Sequence, residues 1–389
     1  GKLKELRLNI WEPPRFFEGF LVGRKFDEVP DIVARICGIC PVSHMTTAIR
    51  AMENAFGFTP SPEVKKIRKI LALSQILSSH LAHLYVLALP DFFRLNSVVE
   101  MLPHFEKEIK RFLRLKEAAN SITALFGGRA LHPVSMVVGG FTKVPSKADI
   151  EKAVKELESL HGDALETLKM VSELKCPALE NNAEFVALKG KGEYAINGGM
   201  ISSTKGLNIK EHEYASYFIE DEVPYSNAKR TIIKGRGSLM AGALSRINLG
   251  FDNLLPDAKK ASEDLGFRGG GNPFLNNLAQ AVEIVHALQE CAALLRGLSL
   301  KDYFADFKVR EGSGSALTEA PRGMLYHYYE IDRRGVITKA NIVTPTAHNF
   351  LNLEESLKKL VTENIDKPED ELIFMCEMLV RAYDPCFSC

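Results

Sequence analysis

Arg35-Ile36-Cys37-Gly38-Ile39-Cys40-Pro41, near the start of the chain, and Asp384-Pro385-Cys386-Phe387-Ser388-Cys389, its last six residues, each contain a C-x-x-C pair. That spacing lets two thiolates turn toward one ion, and two such pairs supply four sulfurs. Together they read as a metal site. With 345 residues between Cys40 and Cys386, an ion held by both pairs draws the two ends of the fold together, which a local zinc loop does not do. Pro41 and Ser43 open a predicted helix running through His44 to Phe56, so Cys40 lies just before a helix N-terminus. Free N–H groups and the positive end of the dipole favour a thiolate there, and Arg35 adds positive charge.

Composition narrows the class. At 389 residues the chain exceeds the usual size of one compact core, so a large domain with subdomains is expected. Hydrophobic residues make up 46% and charged residues 25%, with 49 basic against 49 acidic side chains. Zero net charge gives no electrostatic reason to expect nucleic acid or an acidic membrane as partner. No uninterrupted apolar run approaches the roughly 20 residues that span a bilayer, and Gly1-Lys2-Leu3-Lys4-Glu5 does not read as a signal peptide. A cytoplasmic chain is expected. Its seven cysteines then read as reduced thiols and ligands, with Cys176, Cys291 and Cys376 as small buried hydrophobes.

Along the chain, Leu6 to Trp11 alternates like a strand, and residues 16 to 24 form a short apolar helix carrying Glu18, for which Arg15 or Arg24 is the expected partner. Val29 to Ile36 reads as a helix broken at Cys37-Gly38. Helical spacing from Pro62 to Leu89 predicts a long core helix with His80 and His83 on one face, more readily hydrogen bonded in a core than ligating metal. It ends at Pro90-Asp91, an odd place for a carboxylate without a partner. Further helices are predicted at about 100–125, at 146–174 with a Ser146/Asp149 cap, at 273–296, and from about 353 to 380 with a break near Pro368. Short strands near 184–188 and 194–201 suggest an α+β subdomain at about 178–250 within a single domain of residues 1–389. Gly312 to Gly323 reads as a Gly-rich approach that holds Arg322 on a rigid turn between Pro321 and Gly323, and 325–331 with 336–343 make a hairpin leading to Thr344-Pro345-Thr346. The fold expected is mainly α with smaller α+β elements, a central bundle of long helices bringing both C-x-x-C loops together.

Three of these stretches resemble a known family. Arg-Ile-Cys-Gly-Ile-Cys-Pro-Val-Ser-His at 35–44, Glu-Ala-Pro-Arg-Gly at 319–323 and Asp-Pro-Cys-x-x-Cys at 384–389 are similar to the signatures of the large, catalytic subunit of nickel-iron hydrogenases. Gly-Arg-x-Leu-His-Pro at 128–133, the run from His83 to Asp91, and Thr-Pro-Thr at 344–346 also fall where the family has them, so the likeness covers nearly the whole chain. It is strongest to soluble, multisubunit cytoplasmic enzymes linked to NAD(P), sulfur or the deazaflavin coenzyme F420.

The resemblance implies a specific chemistry. Cys37, Cys40, Cys386 and Cys389 would bind nickel, with Cys40 and Cys389 also bridging to an iron that carries carbon monoxide and cyanide. Soft thiolates suit such a redox-active centre, whereas zinc has no redox states to offer. Dihydrogen would be cleaved heterolytically and reversibly, Cys386 taking the proton, with the Arg322 guanidinium as the competing base. Asp91 and Asp384 would hold Arg322, His44 would donate to a bridging sulfur, and Thr346, next to Pro345, would donate to a cyanide. Pro321, which frames the arginine turn, and Pro345 would contact the cofactor as well. Glu18 matches a glutamate near a second site for magnesium or iron(II). No ferredoxin-like cysteine cluster exists in this chain, so an iron-sulfur small subunit is implied, met at exposed apolar surface around the N-terminal cysteine loop. Further flavin-bearing, NAD(P)- or deazaflavin-binding subunits, or ferredoxin, would take the electrons onward. Two departures stand out: the family's Arg-Ile/Val-Glu-Gly-His element, with its proton-relaying glutamate, would precede Gly1, and a metal-binding histidine would follow Cys389. A structural zinc protein and a complex I-type scaffold subunit without catalysis are the rival readings. Zinc leaves the arginine turn and paired aspartates unexplained, and the scaffold relatives lack the four cysteines present here.

Overall fold

A computed structural model describes residues 2–10 and 15–386. At its centre the Pro62–Ala82 helix packs between the Asn276–Arg296 and Glu106–Gly127 helices, with the shorter Lys147–Ser159 and His161–Ser172 helices laid against Asn276–Arg296. Local chemistry starts the central helix. Ser61 caps it by accepting the Val64 N–H at 3.1 Å, and Pro62 occupies the first turn, where a missing N–H costs nothing. The expected single helix from Pro62 to Leu89 changes character near its end, becoming a π-helical turn over His83–Ala88 before a last α turn, Leu89–Phe92. Pro90 explains the change: it has no N–H for the carbonyl four residues back, and its ring crowds that carbonyl, so the wider turn relieves both problems.

The Pro41–Phe56 helix begins and ends where the sequence places it, with Cys40 as N-cap and Gly57 closing it at φ +63°. It lies on a three-stranded antiparallel sheet whose middle strand, Gly323–Ile331, pairs with Gly312–Ala320 on one side and Ile337–Val343 on the other. Pairing of Gly323 with Ala320 leaves Pro321-Arg322 as a two-residue turn. Gly323 sits at φ +128°, where an added Cβ would meet the Gly242 nitrogen at 2.8 Å. The Gly-rich approach to that turn, Gly312–Ala320, is a strand. Its glycines are there because the helix backbone runs against it, the Ala51 carbonyl oxygen lying 2.2 Å from where a Cβ of Gly314 would be.

A second, four-stranded sheet has the order Asn208–Lys210, Met200–Ser203, Glu184–Lys189, Leu239–Met240, the last pairing parallel, and Phe218–Asp221 pairs with Arg230–Ile233 in a separate ribbon. Helices Pro345–Glu363 and Glu369–Ala382 complete the chain up to the terminal cysteine segment. Two further expectations are corrected. Leu6 to Ile10 forms no strand, because its backbone is held by single bonds, Leu8 N–H to Glu354 and Ile10 N–H to Ser226, and no neighbouring strand; Trp11 lies outside the described residues. The helix expected over 146–174 is two, broken at Leu160, although its Ser146/Asp149 capping box is present. Pro62–Phe92 and Pro273–Arg296 are long and apolar enough to cross a membrane, but 78% and 72% of their apolar windows are buried inside the protein, which accounts for their composition.

Candidate metal centre

Cys37 and Cys40 stand on the turn before the Pro41–Phe56 helix, and Cys386 arrives from the far end of the chain after the Glu369–Ala382 helix. All three are buried, and their sulfurs lie within 4.8 Å of one another. Cys37 and Cys386 approach to 3.2 Å, too far for a disulfide and close enough for two ligands of one ion. The N–H groups of Ile39 and Cys40 point at the Cys37 sulfur at 3.4 and 3.3 Å, the environment that favours a thiolate. Cys386 is pinned through its backbone: the Thr346 hydroxyl donates to its carbonyl and accepts its N–H, both at 3.1 Å. Thr346 therefore spends its hydroxyl on the Cys386 peptide, with Pro345 as the first residue of its helix and Thr344 as the cap. Cys389 lies outside the described residues.

Arg322 is buried above this cluster. Its Nε donates to Asp384 at 3.1 Å, and its Nη1 has no hydrogen-bond partner among the described residues. Burial works against its charge, but Asp384 and the sulfurs of Cys386, Cys40 and Cys37 outweigh burial and hold the guanidinium ionised. Asp91 is a correction. It receives the Nε–H of Arg381 at 2.6 Å instead of joining Asp384 on Arg322, because Pro90-Asp91 packs beside the end of the Glu369–Ala382 helix. His44 is wholly buried, and burial lowers its pKa to about 4 while the Cys37 charge opposes. Its Nδ1 meets His327 Nε2 at 3.2 Å, and His327 Nδ1 meets the Tyr329 hydroxyl at 2.6 Å.

Sequence reasoning missed the residues that hold the arginine turn. Arg246, 2% exposed, donates to the carbonyls of Ala320 and Pro321 at 2.9 and 3.0 Å. Its charge is met by Glu283 through two bonds of 2.6 Å and by Glu319 at 3.1 Å, and Glu283 also accepts from Tyr194 and pairs with His80. Despite burial, Arg246 and His80 hold Glu283 well below the usual carboxylate range. The histidine pair His80 and His83 is thus hydrogen bonded within the core. The Arg15 side chain expected beside Glu18 lies outside the described residues; among those described, the cation at Glu18 is Lys229, at 3.6 Å, and its other oxygen accepts the Ile342 N–H at 2.9 Å. Arg24 turns to Glu28 instead. Of the solitary cysteines only Cys291 is fully buried; Cys176 and Cys376 are half-buried against the core.

A helix-rich fold that brings thiols from both ends of the chain under a buried arginine defines a nickel-dependent hydrogenase large subunit. The chain belongs to that family: the nickel-dependent hydrogenase model matches residues 15–111 and 280–389. It is 36% identical to the sulfhydrogenase 1 subunit alpha of Pyrococcus furiosus, over 100% of this chain and 91% of that protein, and 32% identical to the sulfhydrogenase 2 subunit alpha of the same organism, over 100% and 93%. An NAD+-reducing nickel-iron hydrogenase in the H2-reduced state has the same fold, with a TM-score of 0.90 at 24% identity over 98% of this chain and 92% of that one. The reduced nickel-iron-selenium hydrogenase from Desulfomicrobium baculatum follows at 0.79 and 19%, over 100% and 96%.

Proposed function

We propose that this hydrogenase subunit cleaves dihydrogen heterolytically at a nickel-iron centre held by Cys37, Cys40, Cys386 and Cys389, the iron carrying carbon monoxide and cyanide. One observation carries the reading: three buried thiols from opposite ends of the chain converge within 4.8 Å beneath a buried guanidinium. Soft donors, N–H groups aimed at sulfur and an adjacent fixed cation fit an anionic thiolate-bound metal centre. When bound, that centre would supply the redox chemistry for the electron pair of the H–H bond. Cys386 is the proton acceptor in this reading, since Thr346 clamps both sides of its peptide and its sulfur can gain and lose a proton without the backbone shifting. Arg322 lends a fixed positive charge, held by Asp384, and the unfilled Nη1 donor is free to bond at the centre. His44, neutral in the folded protein, supplies an N–H toward the sulfurs.

The described residues around Glu18 do not fit the second metal. The carboxylate is already answered by Lys229 and by the Ile342 N–H, and Lys229 also faces Glu220 at 3.3 Å. For the electron partner, the surface beside the N-terminal cysteine loop is apolar: Ile39, Leu131 and Val134 are 43%, 50% and 55% exposed, and Ile39 and Leu131 line one cleft with Gly38, Pro41 and Lys116. Such a patch suits an iron-sulfur subunit seated against the loop. That subunit would pass electrons toward NAD(P), deazaflavin or ferredoxin in a cytoplasmic complex. The test is an infrared spectrum of the purified protein with a metal count. Carbonyl and cyanide bands with one nickel per chain are expected; zinc without those bands would overturn the assignment.

A further inference from the structure

Asp384 is gripped from two sides. One oxygen takes the Arg322 Nε–H, and the other takes the side-chain amide of Gln280, Nε2 to Oδ2 at 2.9 Å. Gln280, on the Asn276–Arg296 helix, is fully buried. Its Oε1 lies 2.5 Å from Nδ1 of the buried His83, whose Nε2 lies 2.7 Å from the backbone oxygen of Arg381. That same oxygen accepts the Asp384 N–H at 2.9 Å, where the chain turns through the left-handed region at φ +49°.

Hydrogen-bond logic fixes the protons. A carboxylate held by a guanidinium offers only acceptors, so the Gln280 group facing Asp384 is the NH2 and the group facing His83 is the carbonyl oxygen. The Arg381 carbonyl carries no proton either. Both ring nitrogens of His83 therefore face acceptors at hydrogen-bond distance. A neutral imidazole would aim a lone pair at one of them; a ring that donates from both nitrogens satisfies both.

We infer that His83 and Gln280 are positioning residues for Arg322: the ring donates from both nitrogens and fixes the Gln280 amide, the amide fixes the Asp384 carboxylate, and Asp384 aims the guanidinium. The inference rests on Arg322 acting at the centre as proposed above. The charges around the ring suit a cation. Asp384 Oδ1 is 3.9 Å from Nε2. Arg381 is turned to Asp91 and Arg322 to Asp384, while Glu283, a turn away from Gln280, is occupied by Arg246 and His80.

Neutron diffraction from crystals of the holoenzyme reads the protons directly. Deuterium on both His83 nitrogens and a Gln280 ND2 group on Asp384 are expected; a single deuteron on the ring, or the amide reversed, overturns the inference. A second measurement uses Gln280→Met, which keeps the volume and removes both polar atoms. It should retain its nickel while losing roughly tenfold or more in hydrogen turnover, the usual cost of an outer partner of a metal site, and its carbonyl band should shift as the guanidinium moves. Unchanged turnover and band in a metal-loaded variant would refute the positioning role, whereas Gln280→Glu, whose second oxygen would repel Asp384, should behave like Gln280→Met. If neutron density matches but Arg322→Lys keeps wild-type turnover, the chain of bonds stands and the role given to Arg322 fails.

Discussion

At Arg322 a planar, permanently charged group is fixed by one bond to Asp384, and its buried Nη1 keeps unused donor capacity beside the thiols. A lysine ammonium on a flexible stem reproduces the charge but neither the fork of donors nor its orientation. Arg322→Lys is expected to bind nickel normally and to lose about 100-fold or more in hydrogen turnover, the scale of removing a preorganised charge-stabilising donor; wild-type turnover would take Arg322 out of the mechanism. Buried histidines contribute to the acid limit, His348 among them alongside His44. His348 is wholly buried against the Tyr214 hydroxyl at 2.6 Å, and burial lowers its pKa from 6.5 to about 4. Between those values the unfolded chain binds the proton and the folded one does not, so the stability this group contributes is complete above pH 6.5 and lost as pH falls toward 4. That window is worth about 3 kcal/mol. Urea denaturation at pH 7 and pH 4.5 should show the loss, and His348→Phe should reduce the difference; an unchanged pH dependence in that variant would exclude His348 as a contributor.

Among the elements, the Asn276–Arg296 helix carries most of the support for the site on one face. Asn276 bonds the Ala382 carbonyl, Gln280 bonds Asp384, and Glu283 neutralises Arg246, which in turn holds the arginine turn. Glu283→Gln would leave Arg246 buried with much of its neutralising charge gone, and breaking such a pair costs about 3–5 kcal/mol. A denaturation midpoint equal to wild type would show the network to be dispensable. Gly314→Ala tests the contact between helix and strand: its Cβ would sit 2.2 Å from the Ala51 oxygen and 2.4 Å from the Ala55 nitrogen. A loss of about 1–3 kcal/mol is expected, and no loss would mean the strand can slide away from the helix at little cost. These contacts also explain what the sequence could and could not convey. Helix starts at Pro41 and Pro62 were legible because a proline in the first turn and a capping residue before it are local signals. The glycines of Gly312 to Gly323 give no strand signal because glycine is unfavourable in strands, and only the approach of Ala51 and Ala55, far away in sequence, explains them. The two cysteine pairs announce the centre through spacing alone. The partner of Asp91 is not so encoded: Arg322 and Arg381 are both available, and the choice follows from which helix end reaches Pro90. Arg246 and Glu283 read as ordinary helix charges, since nothing in their neighbours reveals that they are buried against one another.

For the molecule as a whole, the thiol cluster is a clasp between its two ends. The Pro41–Phe56 helix carries Cys37 and Cys40 and is seated on the three-stranded sheet, whereas the segment of Cys386 is held by Thr346, by Gln280 through Asp384, and by Tyr383, whose hydroxyl joins Asn352 and Ser356. A metal centre that binds only when these parts are together stabilises the folded state by mass action and through no other term. Its removal should therefore act locally. In the metal-free chain, amide hydrogen exchange should rise at 37–40 and 383–386, where strong thiolate repulsion is no longer offset, while amides of the Asn276–Arg296 helix, anchored by apolar burial on both sides, keep their protection. Thermal unfolding should come earlier, by an amount that grows with the tightness of the lost metal. Exchange that rises uniformly across the helices would mean that the core depends on the clasp, and the central bundle would then be a consequence of metal binding instead of the scaffold that makes it possible.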